Sequence, residues 1–183
     1  MAHSPLVSNA KSVAHRQHEG LFRPNKNSDP YHTHTDEVAL LVEQSGGSDI
    51  EIAAAHLHDT VEDTDLTIAD IEKNFGPVVA LIVDGLTDKP DITELPLLQR
   101  KVIQAERVQE KSASVKRCKL ADQISNVRSV AIDPPVTWSA QKCRDYVTGA
   151  KCIADACKGV SAYLDAEFEN AYQKACAAYP VAA

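Results

Sequence analysis

The chain has 183 residues, enough for one domain with a substantial buried core. Hydrophobic residues make up 44% and charged residues 25%, which excludes general disorder. A formal net charge of −7 excludes a broad basic face for nucleic acid but leaves room for a small anionic ligand held by a metal and a few local cations.

Met1 to Ala10 lacks the basic stretch and apolar core of a secretory signal. No apolar run reaches the ~18 residues that a membrane helix needs, so no membrane partner is expected. The five cysteines, Cys118, Cys143, Cys152, Cys157 and Cys176, are odd in number and form no C-x-x-C pair. Free thiols in a reducing compartment follow, and the expected location is cytoplasmic.

Leu6, Ala10, Val13 and Ala14 are spaced for a first helix. Residues 19–33, with Gly20, Pro24 and Pro30, read as a loop. A second helix is predicted from about Thr35 to Gln44, stopped by Gly46-Gly47. Ser48-Asp49-Ile50-Glu51 is a capping box that opens a third. Its body, Ile52 to Leu57, is apolar nearly all round, the mark of a helix buried on most faces. It delivers His58-Asp59 to the end of a core helix, followed by a loop from Thr60 to Asp65.

Thr67 starts a capped helix that Gly76-Pro77 ends, and the apolar stretch Val78 to Leu86 follows. Residues 88–96 read as a loop around Pro90 and Pro96, with helices over about 97–110 and 113–131. Asp133-Pro134-Pro135 is a break. From Ser139 to about Ala178 the chain reads as helical, with Ile153, Cys157, Val160, Leu164 and Phe168 stepping by four, three, four and four. No segment alternates as a strand, so the predicted fold class is all-α in a single domain over residues 1–183.

His58-Asp59 places an imidazole beside a carboxylate, two groups that can ligate one divalent metal; a histidine capping a helix end is the plainer alternative. Upstream, Tyr31-His32-Thr33-His34 can add an imidazole or be ordinary loop. Glu62 and Asp63 can position or deprotonate water, or form a solvated acidic turn. Asp122 lies opposite the stripe of Leu120, Ile124, Val127 and Ala131, together with Cys118, Asn126 and Ser129. Helical spacing alone therefore predicts a surface aspartate.

His58-Asp59-Thr60-Val61-Glu62-Asp63-Thr64 resembles the H-D-x-x-E-D-T core of RelA/SpoT-type HD-domain hydrolases, above all the stand-alone small alarmone hydrolases. The resemblance extends to Phe75-Gly76 and to Val83-Asp84-Gly85-Leu86-Thr87-Asp88-Lys89. It also takes in Lys119-Leu120-Ala121-Asp122 with Asn126 and Arg128, and Pro30-Tyr31-His32-Thr33-His34. These motifs run in order over about residues 13–150, and residues 151–183 form an additional C-terminal helical segment.

The resemblance implies an HD-type helical fold that hydrolyses the 3′-pyrophosphate of (p)ppGpp to GDP or GTP and pyrophosphate. It makes His34, His58, Asp59 and Asp122 the ligands of one metal, usually Mn²⁺ in this family, and Glu62 and Asp63 the acids that act on water. For the substrate it points to Arg23, which packs on the base in the family, and to Lys26, Asn126, Ser129, Lys142 and Tyr146. Pro24 stands where the family carries a lysine, and proline can supply no polar side-chain contact. That change keeps open an adenine alarmone or NADPH as substrate, beside a non-catalytic alarmone-binding role.

Overall fold

The computed structural model describes residues 3–180; residues 1, 2 and 181–183 of the expected single-domain span lie outside them. The described chain is all-α, with eleven helices and no strand, only an isolated bridge between Phe22 and Pro30. The helices are α1 (Pro5–Gln17), α2 (His32–Gln44), α3 (Asp49–Leu57), α4 (Thr60–Asp63), α5 (Ile68–Phe75) and α6 (Pro77–Leu86), then α7 (Pro90–Thr93), α8 (Leu97–Gln109), α9 (Ala113–Ile132), α10 (Ala140–Cys157) and α11 (Ala162–Ala178).

Helix starts are written in the local chemistry. Ser4, Ser112, Ser139 and Ser161 each accept a backbone N–H of the first turn, and Pro5 fills a position where an N–H would be orphaned. Both reciprocal capping boxes form, Ser48 with Glu51 and Thr67 with Asp70. Gly76 ends α5 at φ 88°, a conformation that costs other residues a steric penalty.

Three expectations about where helices run need correction. Thr60 to Asp65 is not simply a loop: Asp59 C=O accepts from the N–H groups of Glu62 and Asp63, closing the single turn α4. Residues 88–96 likewise contain the one-turn α7, opened by Pro90. Elements of four residues are too short for periodicity to register. The span from Ser139 to Ala178 is two helices, parted where Gly159 takes φ 88° and Ser161 caps the next. The stepping from Ile153 to Phe168 survives the break because both helices pack on α9.

Helix α9 is the axis of the fold. It packs against α2, α3, α6, α8, α10 and α11, while α1 lies on α3 and α8 on α10. Leu120 and Ile124 are fully buried, each contributing roughly 1.5–3 kcal/mol by burial. Surrounded on every side, α9 buries residues 120–125 without exception, including Asp122, Gln123 and Ser125. The predicted surface aspartate is thus overturned, because spacing assumes one wet face and α9 has none over this stretch.

The α8–α10 crossing depends on a missing side chain. A Cβ at Gly149 would lie 2.5 Å from Lys101 Cβ and 2.7 Å from its Cγ. Gly149→Ala is expected to cost ~1–3 kcal/mol through overpacking, read as a lower denaturation midpoint.

Candidate metal centre and substrate cleft

Three pieces of chain meet at one point. The N-terminal turn of α2 carries His34, the C-terminal end of α3 delivers His58 and then Asp59, and the middle of α9 contributes Asp122. His34 Nε2 lies 3.4 Å from Asp59 Oδ2 and 3.5 Å from Asp122 Oδ1. His58 Nε2 lies 3.1 Å from Asp59 Oδ2 and 3.9 Å from Asp122 Oδ1. His34, His58 and Asp59 form a compact group suited to a metal ion, and Asp122 lies beside that group, near both imidazoles.

The second atoms of these groups are occupied in the way a metal site needs. His58 Nδ1 sits 2.8 Å from the Ala55 carbonyl, which can only accept, so the ring proton belongs on Nδ1. Its Nε2 is buried and has no hydrogen-bond partner. A buried ring nitrogen set against two carboxylates without a well-formed hydrogen bond is a place that a proton fills in the free protein and a divalent cation would fill in the loaded one. His34 Nδ1 faces Ser125 Oγ at 2.9 Å, which likewise frees its Nε2. The residues present therefore fit such an ion: two imidazoles and two carboxylates, with outer partners for each.

Asp59 also accepts from the Tyr31 hydroxyl at 2.7 Å. Asp122 Oδ1 accepts from Asn126 Nδ2 at 2.5 Å and Oδ2 from Gln123 Nε2 at 2.8 Å, with Lys119 Nζ 3.4 Å away. Gln123 is held in turn by the buried Lys101 ammonium, 3.0 Å from its Oε1 and 4.4 Å from the centre of the Tyr146 ring. Burial disfavours charge on both aspartates, but His58 beside Asp59 and Lys119 beside Asp122 hold the carboxyls well below their usual range. Burial also opposes charge on His58, and the adjacent Asp59 and Asp122 overcome it, raising the imidazole to about 9.

Glu62 and Asp63 stand at the rim, where α4 turns them away from the core. Glu62 Oε1 accepts from the Asp88 N–H at 2.7 Å, an anchor from the segment after α6. Although Glu62 as a residue is exposed, loss of water around its carboxyl and then the negative Asp59 push it up to about 7. Asp63 is raised by the same two causes in the same order. A carboxyl raised in this way, as that of Glu62 is, can accept a proton from water.

A cleft of about 220 Å³ adjoins the cluster at His34, and Arg23, Pro24, Asn126, Ser129, Trp138 and Tyr146 are among the residues that line it. Arg23 Nη2 donates to Asn126 Oδ1 at 3.3 Å, and Asn126 holds Asp122, so the cleft is wired to the cluster. The loop carrying Arg23 is clasped from below: Val136 N–H donates to Pro24 C=O, and the Asp133 carboxylate accepts from the N–H groups of Lys26 and Asn27. Lys26 is exposed and does not line the cleft. Lys142 is also outside the lining, its ammonium 4.9 Å from the centre of the Trp138 ring that does line it. A larger hollow of about 460 Å³, bounded by Asp88, Gln104 and Lys119, includes none of the four clustered residues. Two of its cations, Lys89 and Arg107, are already paired with Asp84 and Asp91.

Several supporting side chains have no individual signal in the sequence. Tyr31 sits inside a motif but its bond to Asp59 needs the fold to be seen. Gln123, Ser125, Lys101 and Trp138 are ordinary residues by type, and only their placement beside the cluster distinguishes them.

The HD domain family matches residues 10–145. Guanosine-3′,5′-bis(diphosphate) 3′-pyrophosphohydrolase MESH1 of Homo sapiens is 34% identical over 167 residues, covering 90% of this chain and 92% of that protein. The protein of the same name from Xenopus tropicalis is 33% identical over 169 residues, covering 91% and 93%. A solved structure described as a metazoan ortholog of SpoT that hydrolyzes ppGpp superposes with a TM-score of 0.87 at 28% identity, covering 94% of this chain and 97% of that one.

Proposed function

The chain belongs to the HD-domain family, in its RelA/SpoT-type branch, and from that premise we propose that it hydrolyses the 3′-pyrophosphate of (p)ppGpp to GDP or GTP and pyrophosphate, using one divalent metal. What supports this reading most is the buried, unpartnered Nε2 of His58, facing Asp59 and Asp122 with His34 alongside. In this reading His34, His58, Asp59 and Asp122 hold the ion, with Mn²⁺ the metal of choice. Imidazole and carboxylate donors suit it chemically. A cation there supplies Lewis acidity towards water and the phosphoryl oxygens.

The chain's own groups do the rest. Glu62, with its carboxyl near neutrality, takes a proton from the attacking water, and Asp63 holds that water in line. The water oxygen forms a new bond to the 3′ phosphorus as the bond from phosphorus to the ribose 3′ oxygen breaks, and that oxygen leaves to be protonated. Lys119 pairs with Asp122 and keeps its carboxylate charged for the ion. Arg23 offers a planar guanidinium to the base, while Asn126, Ser129 and Tyr146 bound the sugar and phosphates. Lys26 and Lys142 lie outside the cleft lining and serve the substrate, in this reading, only as outer cations. The whole chain acts as one HD-type unit, and its five unpaired cysteines suit a reducing compartment.

Incubation of the purified protein with Mn²⁺ and a nucleotide panel, with products resolved by anion exchange, tests this function. Conversion of ppGpp to GDP and pyrophosphate is expected. Turnover of other nucleotides but not ppGpp contradicts it.

Pro24 favours a second reading at the level of substrate, an adenine alarmone or NADPH. It lines the cleft and brings no donor, and stacking on Arg23 barely separates adenine from guanine. Arg23→Ala is expected to weaken substrate use strongly. Pro24→Lys is expected to lower KM for ppGpp roughly ten- to a hundredfold with little change in kcat, the pattern of restored uniform binding. Steady-state kinetics on ppGpp and its adenine analogue check both. Silence in both variants removes the base from this loop.

A further inference from the structure

The two imidazoles of the cluster are steered by different means. His58 uses a carbonyl of its own helix, Ala55. His34 uses a side-chain chain that crosses the fold. Its Nδ1 meets Ser125 Oγ at 2.9 Å, and Ser125 donates to Glu37 Oε2 at 2.7 Å. Glu37 Oε1 accepts from Arg128 Nη1 at 2.8 Å, and the other arm of Arg128 grips Glu167 on α11.

The direction of every bond in that chain is forced. Arg128 has only donors, and the carboxylate it grips has only acceptors. Ser125 owns one proton, and it goes to Glu37. Its oxygen is left to accept from His34, so the His34 proton belongs on Nδ1. The reverse polarity would require a protonated carboxyl against a guanidinium. Ser125 is completely buried, so no water competes for the hydroxyl. The result is a carboxylate–hydroxyl–imidazole series ending on a free Nε2 lone pair between Asp59 and Asp122. Outer partners of this kind fix the tautomer of a ligating histidine and raise its basicity.

We infer that Ser125 and Glu37 are positioning residues that hold His34 in its metal-ligating tautomer, and that Arg128 extends this control to Glu167 of the C-terminal helix α11. The inference rests on the metal-site reading above and adds to it a role for the segment after residue 150. The relay gives α11 a purpose beyond packing, because Glu167 and Glu37 share one arginine between them and the position of each depends on the other. Its outer members, Ser125, Glu37 and Arg128, make no hydrogen bond to His58, whose Nδ1 is held separately by the Ala55 carbonyl, so disturbing them should leave that contact alone.

Mn²⁺ titration calorimetry of the full chain, stripped of metal beforehand, tests the relay. Nitrogen-15 NMR of the histidine side chains in the metal-free protein accompanies it. Ser125→Ala is expected to weaken Mn²⁺ binding about 10–100-fold and to turn the single Nδ1-protonated form of His34 into a mixture. Glu37→Gln, at a partly exposed position, is expected to fall between wild type and Ser125→Ala; the His58 ring signals should be unchanged in both. If both variants bind Mn²⁺ as tightly as wild type and keep the His34 tautomer, while His34→Ala binds poorly, the relay is packing only and the inference is overturned. If His34→Ala binds Mn²⁺ as wild type does, the metal reading fails and the relay with it.

Discussion

The variant carrying Glu62→Gln and Asp63→Asn together is expected to lose ~10²–10⁴ in turnover of ppGpp while its Mn²⁺ affinity stays near that of wild type. Both side chains keep their shape, and the carboxamide oxygen introduced by Glu62→Gln can still accept from the Asp88 N–H that Glu62 uses, so α4 should keep its turn. What is lost is the ability to take a proton. The pH profile gives the same answer independently. Burial raises Glu62, and a base must be ionised, so activity should fall on the acid side as Glu62 takes up a proton and level off above it, with a cation on Asp59 moving that limb to lower pH. That acid limb should vanish in Glu62→Gln. Near-normal turnover in the double variant would leave the two acids as a solvated turn.

Removing an inner carboxylate should act on the metal instead. Asp122→Asn is expected to lower Mn²⁺ affinity by more than the about 10–100-fold that outer partners cost, and to lose turnover with it. Asp122 is the sharper choice over Asp59, because a carboxamide there still accepts from Asn126 or Gln123 and leaves the core of α9 filled. High Mn²⁺ should restore part of the activity in Asp122→Asn and none in the Glu62/Asp63 variant. Calorimetry and kinetics as a function of Mn²⁺ check both. Equal affinity in Asp122→Asn and wild type would remove Asp122 from the site.

Helices are legible in the sequence wherever a cap or a stop is explicit. Ser48 with Glu51 and Thr67 with Asp70 are local devices, and residues three apart suffice to recognise them. The one-turn helices α4 and α7 look like loops in the sequence, and the break at Gly159 looks continuous. An apolar step of three or four fits one unbroken helix and two helices on the same partner alike.

Asp122 marks the limit of periodicity. Spacing places it away from the apolar stripe, yet it is buried, because α9 has neighbours on every side at that level. Only the motif Lys119-Leu120-Ala121-Asp122 points inward, and it does so by resemblance, not by pattern. The arrangement around the cluster is legible to different depths. His34, His58 and Asp59 carry chemistry in their residue type. Ser125 and Glu37 carry theirs only through partners 88 to 91 residues away in the chain, and Gln123 is oriented by Lys101, 22 residues away, which no local reading can supply.

The atom that water attacks distinguishes 3′-pyrophosphate hydrolysis from every other route most directly. Turnover of ppGpp by the Mn²⁺-loaded protein in oxygen-18 water, followed by mass spectrometry of both products, reads this out. One heavy oxygen in the pyrophosphate and none in the GDP is the predicted result, since the bond formed is to the 3′ phosphorus. Heavy oxygen in the GDP, or release of single phosphates in place of pyrophosphate, would contradict it.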